Sequence, residues 1–346
     1  MNKHIINKNK TLLEALSQIS ALPPSPMVLF VVDDENRMVG TLTDGDSRRA
    51  LVKGASVHDK TEEIMHRDFR FLQEGINYDV RHIQEQKKMQ MKLVPVLDAE
   101  RHILDVIDLE KYRTKLPIDA VLMAGGKGER LRPLTEHTPK PLLKVGNKAI
   151  IDYNVDNLIS FGVDHISVTV NYLREQLEEH FAKPYDGVQV QTVREPQYLG
   201  TMGSVQFVKD HCHDTVLVMN SDLFTNIDLE NFYLHFKELG ADMSAAAIPY
   251  TISVPYGIFD INEHQEIRGL QEKPTYNYYA NAGIYLIKRE MLEKFIPQNT
   301  FCDATDFMEI LIREKRKVVH FPLSGYWIDI GNKQEYAKAQ DLVKYL

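Results

Sequence analysis

The sequence predicts an α/β protein whose larger, C-terminal part contains a mixed, mostly parallel β-sheet, preceded by a small α+β part. From residue 118 onward, short apolar runs alternate with helical stretches, which is typical of a parallel sheet covered by helices. The residues before position 115 contain an approximate internal repeat instead. A short polar stretch that ends in proline, Tyr112–Pro117 (YRTKLP), separates the two parts and is interpreted as a linker.

Length and composition limit the class of protein. The 346 residues fit two or three domains, and the charged fraction of 26% with a hydrophobic fraction of 43% is ordinary for a soluble globular chain. No apolar run reaches the roughly 18 residues that a membrane span needs. The net charge of −8 argues against general nucleic-acid binding, which requires a basic surface. Cys212 and Cys302 are too few for a disulfide framework, and the N-terminus leads into no apolar signal core, so we expect a cytoplasmic protein without membrane or nucleic-acid partners.

The internal repeat consists of two similar hairpins, Leu29–Val39 (LFVVDDENRMV) and Val94–Leu104 (VPVLDAERHIL). Each reads as a short apolar strand, an acidic turn and a second strand. Each hairpin follows a helical stretch, Thr11–Ser20 or Tyr78–Lys88. Two such units would pack together, because each alone would leave an apolar face exposed. The alternative is one α+β domain whose hairpins are similar by chance.

The larger part alternates between strands and helices. The predicted strands are Ile118–Met123, His165–Val170, Val188–Val193, Thr215–Met219, Met243–Ile248, Ala282–Ile287 and Val318–Phe321. The predicted helices are Ala149–Ser160, Leu173–Phe181, Leu229–Leu239 and Asp306–Lys315. Because ligands of such sheets bind outside the carboxyl ends of the strands, the residues that follow a strand are the candidates for a site.

The strongest local signal is the segment Val121–Lys144 (VLMAGGKGERLRPLTEHTPKPLLK), in which a buried strand leads directly into three glycines. Glycines let the backbone approach a triphosphate closely and point amide N–H groups at it. The glycines and the cations that follow them are Gly125, Gly126, Gly128, Lys127, Arg130, Arg132 and Lys140. The pattern matches neither GxGxxG nor GxxxxGK[ST]. The residues by themselves indicate an anion-binding loop, and the alternative is an ordinary tight turn.

This segment resembles the signature of the sugar-1-phosphate nucleotidyltransferase family, G-G-x-G-x-R-L-x-P-L-T followed by P-K-P and two hydrophobic residues. The resemblance implies a Rossmann-like catalytic domain at residues 118–346. It also implies that the three glycines wrap the nucleotide, that Arg130 holds the β- and γ-phosphates, and that Lys140 lies beside the reacting phosphates.

Later segments resemble further motifs of the family, in the family's order. Glu195–Ser204 (EPQYLGTMGS) resembles E-x-x-x-L-G-T-A-G, which contacts base and ribose, with Met202 where alanine is usual. The residues that this motif implies as nucleotide contacts are Gly200, Thr201 and Gly203. Asn220–Asp222 resembles N-G/S-D and Trp327–Gly331 resembles W-x-D-x-G. The resemblance implies that the aspartates of these two motifs, Asp222 and Asp329, bind Mg²⁺.

Two more motifs concern the sugar. Glu272-Lys273-Pro274 resembles E-K-P, in which the glutamate holds sugar hydroxyls and the lysine holds the sugar phosphate. Asn281–Tyr285 resembles N-x-G-I-Y, which implies that Asn281 and Gly283 contact the sugar. Taken alone, each motif has an ordinary structural reading. Asp222 could be a helix cap or turn residue, Glu272 and Lys273 a solvated pair, and Asp329 part of a turn; the order of the motifs together favours the family.

The resemblance implies a reaction without a protein nucleophile, in which a sugar 1-phosphate attacks the α-phosphorus of a nucleoside triphosphate and releases pyrophosphate. We expect GTP and Mg²⁺, because the chain most resembles guanylyltransferases, including those that activate amino-sugar 1-phosphates for nonulosonic (legionaminic-type) acids or surface glycans. The alternatives are a uridylyl- or thymidylyltransferase, and a catalytically idle regulator that binds nucleotide sugar.

The segment Val39–Asp46 (VGTLTDGD) resembles the G-x-x-T-x-x-D ligand motif of cystathionine-β-synthase (CBS) domains. The resemblance implies a tandem CBS pair at residues 1–114, with Thr43 and Asp46 as contacts of an adenine nucleotide. The second copy departs from the motif, with Asp105, Asp108 and Lys111 at the three positions. We therefore expect at most one intact half-site, with a structural or dimerising module as the alternative, and we expect a homo-oligomer.

Two weaker signals stay outside this scheme. His211–Asp214 (HCHD) has no spacing of a closed zinc site and no second ligand pair assigned by the sequence, so we interpret it as a polar loop before a strand. Tyr276, Tyr278 and Tyr279 could stack on a sugar ring or serve ordinary packing.

Overall fold

The computed structural model describes residues 3–22, 26–76, 79–112 and 114–346. The chain divides into two compact units, residues 1–113 and residues 114–346. The division falls within the predicted linker Tyr112–Pro117, of which Arg113 lies outside the described residues, as does Tyr78 of the predicted second helix. Within the described ranges, no helix is both long and apolar enough to cross a membrane.

The smaller unit contains short strands and helices. Its strands are β1 (Ile5–Asn7), β2 (Val28–Val32), β3 (Met38–Thr43), β4 (Leu72–Gln73), β5 (Leu93–Leu97) and β6 (Ile103–Asp108). Its helices are α1 (Leu12–Ser20), α2 (Asp44–Val52), α3 (Thr61–Ile64) and α4 (Val80–Lys88). Helix α1 begins where the Thr11 hydroxyl and the Glu14 carboxylate cap each other's backbone N–H groups, a capping box that the sequence encodes locally.

The predicted repeat is present in this unit as two three-stranded sheets, β1-β2-β3 and β4-β5-β6. In each sheet the first pair of strands is parallel and the second pair is antiparallel. The register shifts at the same place in both, between Val31 and Val32 and between Val96 and Leu97, an offset of 65 residues. Arg37 and His102, which this offset makes equivalent, pair with each other in an isolated antiparallel bridge. Chance similarity of one hairpin pair would not produce this correspondence.

The larger unit carries the remaining elements. Its strands are β7 (Asp119–Ala124), β8 (Lys144–Val145), β9 (Lys148–Ala149), β10 (Ile166–Val170), β11 (Val190–Arg194), β12 (Thr215–Asn220), β13 (Leu223–Thr225), β14 (Met243–Ser253), β15 (Ile258–Ile261), β16 (Ile267–Gln271), β17 (Thr275–Lys288), β18 (Val318–Pro322) and β19 (Trp327–Asp329). Its helices are α5 (Ile150–Ser160), α6 (Arg174–His180), α7 (Gly200–Gly203), α8 (Leu229–Glu238), α9 (Arg289–Phe295), α10 (Ala304–Arg313) and α11 (Lys333–Leu342).

The described residues of this unit form a seven-stranded sheet in the order β11-β10-β7-β12-β17-β14-β18. Strand β17 is antiparallel to both of its neighbours, and the other pairs are parallel. The fold class predicted from the sequence, a mixed and mostly parallel sheet, is therefore confirmed. On one face, Val121 and Val216 pack in a core with Phe307 of α10. On the other face, Phe232 of α8 packs against Phe321 of β18 with ring centroids 4.9 Å apart.

Strands β14 and β17 run further than the sequence predicts. Their outer halves pair from Ile248 with Ala280 to Ser253 with Thr275, and the hairpin β15-β16 lies between them in the chain. We call residues 249–280 the ribbon. Its side chains are largely exposed. Strand prediction depends on a pattern of buried and exposed residues, and the ribbon has no such pattern because no helix covers it.

Candidate functional site

Four neighbouring parallel strands end at one edge of the sheet, and a polar or glycine residue follows each of them. These residues are Gly125 after β7, Asn171 after β10, Glu195 after β11 and Ser221 after β12. All four line a cavity of about 700 Å³ at this edge. The expectation that a site lies outside the carboxyl ends of the strands therefore agrees with the geometry.

The cavity brings together most of the residues that the sequence singled out. Those that line it are Gly125, Gly126, Gly128, Arg130, Lys140, Gly200, Thr201, Asp222 and Asp329. Asp222 and Asp329 are far apart in the chain, yet they meet here because β13 pairs with β19 and sets Leu223 opposite Asp329. The backbone N–H of Ile330 also donates to the carbonyl oxygen of Asp222 at 3.3 Å.

One side of the glycine-rich turn packs against neighbouring residues, and the other side, at Gly126, is open. A Cβ at Gly125 would collide with the Glu195 carboxylate, and Gly128 has φ of +62° with its Cβ position 3.0 Å from Thr135 Cγ2. The Thr135 hydroxyl donates to the carbonyl oxygen of Gly128 at 2.8 Å and fixes the turn. At Gly126 no described atom lies within 4 Å of a Cβ position. The turn can therefore receive a ligand on the side of Gly126.

Two carboxylates and one ammonium form the polar centre of the cavity. Lys140 Nζ forms an ion pair with Asp222 Oδ2 and lies 3.5 Å from Asp329 Oδ1. Asp222 Oδ1 and Asp329 Oδ1 are buried, and neither has a hydrogen-bond partner among the described residues. Burial and the charge of Asp222 together raise the pKa of Asp329 against the opposing effect of Lys140 and Arg130. Two buried carboxylate oxygens without hydrogen bonds, on aspartates that share the ammonium of Lys140, are a donor set that fits Mg²⁺, which prefers oxygen ligands.

Arg130 reaches the same centre from the 3₁₀ turn Glu129–Leu131. Its Nη2 atom lies 2.9 Å from the position that a Cβ at Gly331 would occupy, so the glycine after Ile330 makes room for the guanidinium. The Arg130 side chain is otherwise exposed and can accept an anion in the cavity.

Helix α7 contributes Gly200 and Thr201 to the lining, but Gly203 does not line the cavity. The Gly203 Cβ position lies 2.8 Å from Leu199 Cβ, so this glycine allows close packing. Met202, the residue that departs from the family motif, is fully buried in the core under the sheet. The role of Gly203 as a nucleotide contact thus stays a prediction to which the geometry gives no direct support.

The residues predicted to hold the sugar lie beside the cavity lining or away from it. Gly283, with φ of +72°, packs against Asn220, which lines the cavity. The backbone N–H of Gly283 already donates to Asn281 Oδ1 at 3.0 Å. Glu272 and Lys273 are exposed on the ribbon and do not line the cavity. The structure therefore does not bring Lys273 together with Arg130 and Lys140. The tyrosines Tyr276, Tyr278 and Tyr279 are exposed on the same ribbon and form no core.

The sequence predicts no role of its own for Glu195, the first residue of the segment Glu195–Ser204. The Glu195 side chain lines the cavity and is only 2% exposed. Its Oε2 atom has no hydrogen-bond partner within the described part of the chain. Burial raises the pKa of Glu195 to about 7, against the opposing effect of hydrogen bonds from Leu199 and Thr169. Its position directly after β11 was the available signal; its burial was not visible in the sequence.

In the smaller unit, Thr43 and Asp46 form a capping box at the start of α2. The Thr43 backbone N–H and hydroxyl donate to Asp46 Oδ2 at 2.9 and 2.7 Å. Arg49 pairs with the other carboxylate oxygen at 2.6 Å. Both side chains thus have a structural role in this state, and their contact with a nucleotide stays a prediction.

Comparison with known proteins now identifies the larger unit. The profile of the family described as nucleotidyl transferase matches residues 119–344. The chain belongs to the nucleotidyl transferase family. It is 32% identical over 235 residues to the bifunctional protein GlmU of Methanocaldococcus jannaschii, an alignment that covers 66% of this chain and 54% of that protein.

Two further similarities concern proteins that align with this chain over almost their whole length. The D-glycero-alpha-D-manno-heptose 1-phosphate guanylyltransferase of Aneurinibacillus thermoaerophilus is 27% identical over 225 residues, which cover 64% of this nucleotidyl transferase chain and 97% of that protein. The crystal structure of HddC from Yersinia pseudotuberculosis matches with a TM-score of 0.50 and 24% identity, over 65% of this chain and 99% of that one. This structural likeness supports the fold. The chain spans 54% and 62% of the lengths of the first two curated relatives that it matches.

Proposed function

We propose that this nucleotidyl transferase is a guanylyltransferase, which transfers GMP from GTP to a sugar 1-phosphate and releases pyrophosphate. The observation that carries the choice of base is the buried Glu195 carboxylate in the cavity wall, one oxygen of which has no hydrogen-bond partner among the described residues.

A carboxylate matches the Watson–Crick edge of guanine and of no other common base. Guanine presents two parallel donors, N1–H and the exocyclic N2 amino group, and an ionised carboxylate accepts both with charge-assisted hydrogen bonds. Uracil and thymine present one N–H flanked by two carbonyl oxygens, which the carboxylate would repel. Adenine presents a ring nitrogen acceptor at the same place. A base that leaves this buried carboxylate unpaired would bind poorly.

The position of Glu195 along the sheet edge supports this assignment. Strands β11 and β12 are separated by β10 and β7, so Glu195 and Ser221 follow strands three spacings apart, about 14 Å. The Glu195 carboxylate itself reaches back to Gly125, at the start of the glycine turn. A nucleotide laid along this edge would therefore have its base over Gly125 and Glu195 and its phosphates beside the rest of the turn and Lys140. Asn171, which also lines the cavity next to Gly125, is available to donate to guanine O6.

The chemistry that the cavity supplies is charge stabilisation and positioning. Arg130 and Lys140 would neutralise the triphosphate and the pyrophosphate that leaves, and backbone N–H groups of the glycine turn would hold its oxygens. Asp222 and Asp329 would hold Mg²⁺ through their unpartnered oxygens. When bound, Mg²⁺ would polarise the phosphate oxygens and reduce repulsion between the two polyanionic substrates. The acceptor phosphate is already an anion, so the reaction needs no protein base.

The residues that the family motifs assign to the sugar 1-phosphate do not line the cavity. Glu272 and Lys273 are the residues that the family motif assigns to it, and both lie on the exposed ribbon. We propose that they contact the sugar phosphate when the substrate is bound. The pathway that the resemblance implies, nonulosonic acid or surface glycan synthesis, stays a prediction, and so does the identity of the sugar.

Pyrophosphate release by the full chain tests the proposal. GTP, UTP, dTTP, ATP and CTP are each offered with a panel of hexose, heptose and amino-sugar 1-phosphates and Mg²⁺. We expect kcat/KM for GTP to exceed that for each other triphosphate by at least about a hundredfold. Glu195→Gln, whose amide carries one acceptor, should lower that ratio by at least about tenfold, and kcat with saturating GTP should fall less than kcat/KM.

Two outcomes separate the alternatives. A preference for UTP or dTTP would contradict the role given to Glu195 and favour the uridylyl- or thymidylyltransferase reading. Absence of pyrophosphate release with every pair would contradict the enzyme reading and favour the idle regulator.

We also propose that the smaller unit is a tandem CBS module, which the repeated sheets at an offset of 65 residues support. Because Thr43 and Asp46 are engaged in the cap of α2, an adenine nucleotide would have to displace at least one of their hydrogen bonds. Isothermal titration of the full chain with AMP and ATP tests this. Binding that Asp46→Ala abolishes would support a sensor, and absence of binding would favour the structural module.

A further inference from the structure

A cluster of metal-ligating side chains lies at the opposite edge of the sheet from the cavity. Asp119 is the first residue of β7, His165 precedes β10, and Cys212 lies in the loop before β12. These strands are neighbours in the order β10-β7-β12, and they are parallel, so their amino-terminal ends meet at one edge. The six residues of β7 put this cluster about 20 Å from the glycine turn, too far to share a ligand with it.

The three side chains are close enough to hold one ion. A carboxylate oxygen of Asp119, a ring nitrogen of His165 and the Cys212 sulfur all lie within 4.8 Å of one another. Cys212 Sγ and His165 Nδ1 are 3.4 Å apart. In a tetrahedral zinc site with ordinary Zn–S and Zn–N bonds, the sulfur and nitrogen ligands lie about 3.5 Å apart. The pair therefore needs almost no movement to become a pair of ligands.

Asp119 is buried and held in place by the same loop. Its Oδ2 atom accepts the backbone N–H groups of Cys212 and His213 at 2.8 and 3.0 Å. Its Oδ1 atom accepts from His213 Nδ1 at 2.8 Å. These donors occupy three of the roughly four lone-pair positions of a carboxylate, so Oδ1 keeps one. The carboxylate is thus oriented by fixed donors, as the outer shell of a metal site orients its ligands.

His211 supplies an independent observation at the same place. Its side chain is nine-tenths buried, with Nδ1 3.6 Å from Asp119 Oδ2. That separation is beyond hydrogen-bond length, and Nδ1 has no hydrogen-bond partner in the part of the chain that the structure describes. A protonated His211 would form a long ion pair with Asp119, but a buried ring nitrogen without a hydrogen bond still costs free energy.

We propose that Asp119, His165 and Cys212 bind a zinc-class divalent metal ion, with water in the fourth position. The donor set of one thiolate, one imidazole and one carboxylate selects zinc or a similar borderline ion over Mg²⁺, which prefers oxygen alone. The ion would join the amino-terminal ends of three adjacent strands, and His213 would act as a positioning residue through Asp119. His211–Asp214 is a loop before β12, as the sequence predicts. The proposal adds a metal ligand in this loop, because folding supplies the partners, Asp119 and His165, that the sequence could not place.

Cobalt substitution tests the site in the full chain. The protein is stripped with a chelator and titrated with Co²⁺ in excess Mg²⁺, so that the carboxylates of the cavity are filled. We expect one equivalent of Co²⁺ to give a thiolate-to-cobalt charge-transfer band with intense four-coordinate d–d bands, and Zn²⁺ to displace it. The band requires sulfur, and the chain has two cysteines, Cys212 and the buried Cys302.

Substitutions of the two cysteines and of two histidines distinguish a specific metal site from adventitious binding. Cys212→Ser should remove the charge-transfer band, whereas the matched variant Cys302→Ser should retain it with unchanged affinity. His165→Ala should weaken Co²⁺ binding by more than about tenfold, and His213→Ala by about 10- to 100-fold, as outer-shell changes do. Without metal, the melting temperature of Cys212→Ser should equal that of the wild type.

Other results would overturn the proposal. They are absence of the band in the wild-type chain, survival of the band in Cys212→Ser, or alkylation of Cys212 by iodoacetamide at the same rate with and without Zn²⁺. The last result would indicate an ordinary exposed thiol beside a histidine. Guanylyltransferase activity with Mg²⁺ plays no part in these readouts, so the proposed function and this site can fail separately.

Discussion

At the scale of single residues, the cavity is marked by carboxylate oxygens that the protein leaves unsatisfied. Glu195 Oε2, Asp222 Oδ1 and Asp329 Oδ1 are buried without hydrogen-bond partners among the described residues. Each such atom costs free energy on folding, on the order of 1–3 kcal/mol. A chain retains such a cost where a ligand completes the hydrogen bonds, so these atoms locate the groups that the substrate and the metal would meet.

Glu195 makes the stability of the catalytic unit depend on pH. Burial raises its pKa from 4.5 to about 7, so in this interval the folded chain holds a proton that the unfolded chain has lost. The contribution is fully present below pH 4.5 and is lost as the pH rises through 7. At pH 8 we therefore expect Glu195→Gln to raise the free energy of unfolding by about 1–3 kcal/mol. Urea unfolding followed by the fluorescence of Trp327, the single tryptophan, measures this.

The same titration predicts the pH dependence of GTP binding. Only the ionised carboxylate accepts both donors of guanine, so KM for GTP should rise as the pH falls below about 7, and Glu195→Gln should remove this rise. If Glu195→Gln and the wild type have the same free energy of unfolding at pH 8, the buried environment assigned to Glu195 is wrong. The same holds if KM for GTP depends on pH in the same way in both proteins.

Two glycines of the site should respond differently to the same substitution. Gly200 has φ of +79°, and its Cβ position lies 2.8 Å from the carbonyl oxygen of Cys302, so Gly200→Ala should destabilise the protein by about 1–3 kcal/mol. Gly126 meets no described atom, so Gly126→Ala should keep the melting temperature and raise KM for GTP. Thermal unfolding and steady-state kinetics of the pair check this; equal stability of both would contradict it.

At the scale of elements, the sequence predicts what periodicity and motifs encode. Each predicted strand of the larger unit overlaps an observed strand, because burial between two helix layers imposes an apolar pattern. The predicted starts agree within two residues except for Ala282–Ile287, because β17 already begins at Thr275 in the exposed ribbon. Strands β13 and β19 were not predicted, because a strand of three residues is too short to show a periodic hydrophobic pattern. Their pairing is nevertheless what brings Asp222 close to Asp329. The order of the motifs predicted these aspartates from resemblance, and the backbone path that joins them became visible only in the structure.

Two other features could not be predicted from the sequence: the length of the ribbon and the cluster at the amino-terminal ends of the strands. The outer halves of β14 and β17 are exposed, so hydrophobic pattern could not predict their length. Asp119, His165 and Cys212 lie in different segments of the chain, and only the sheet order makes them neighbours. Local sequence does not determine which residues are neighbours across a sheet, so both features became visible only in the structure.

The ribbon should act on the acceptor substrate alone. Lys273 lies on it, away from the cavity lining, with φ of +45°. We expect Lys273→Ala to raise KM for the sugar 1-phosphate by about tenfold or more and to leave KM for GTP within twofold. Lys294→Ala, a lysine in the last turn of α9, is a control that should change neither value. Steady-state kinetics with each substrate varied decides; a rise in KM for GTP alone would assign Lys273 to the nucleotide.

At the scale of the whole molecule, each unit carries its own hydrophobic core. One cluster around Leu12, Leu29 and Leu42 lies in residues 1–113, and another around Val218 and Phe307 lies in residues 114–346. The sheet of the larger unit has a polar site at each end of its strands: the cavity proposed to bind nucleotide at the carboxyl ends, and the proposed zinc site at the amino ends of three strands. The substitutions above therefore test one edge at a time.

The proposed reaction takes place over one charged centre, which Asp222 and Asp329 form with the glycine turn. Measurement of kcat for Asp222→Ala and Asp329→Ala, with melting temperatures as the control for folding, tests it most directly. Each substitution should lower kcat by at least about a hundredfold. The melting temperature should change little, because the remaining aspartate still forms an ion pair with Lys140. Near-normal kcat in either variant would contradict the claim.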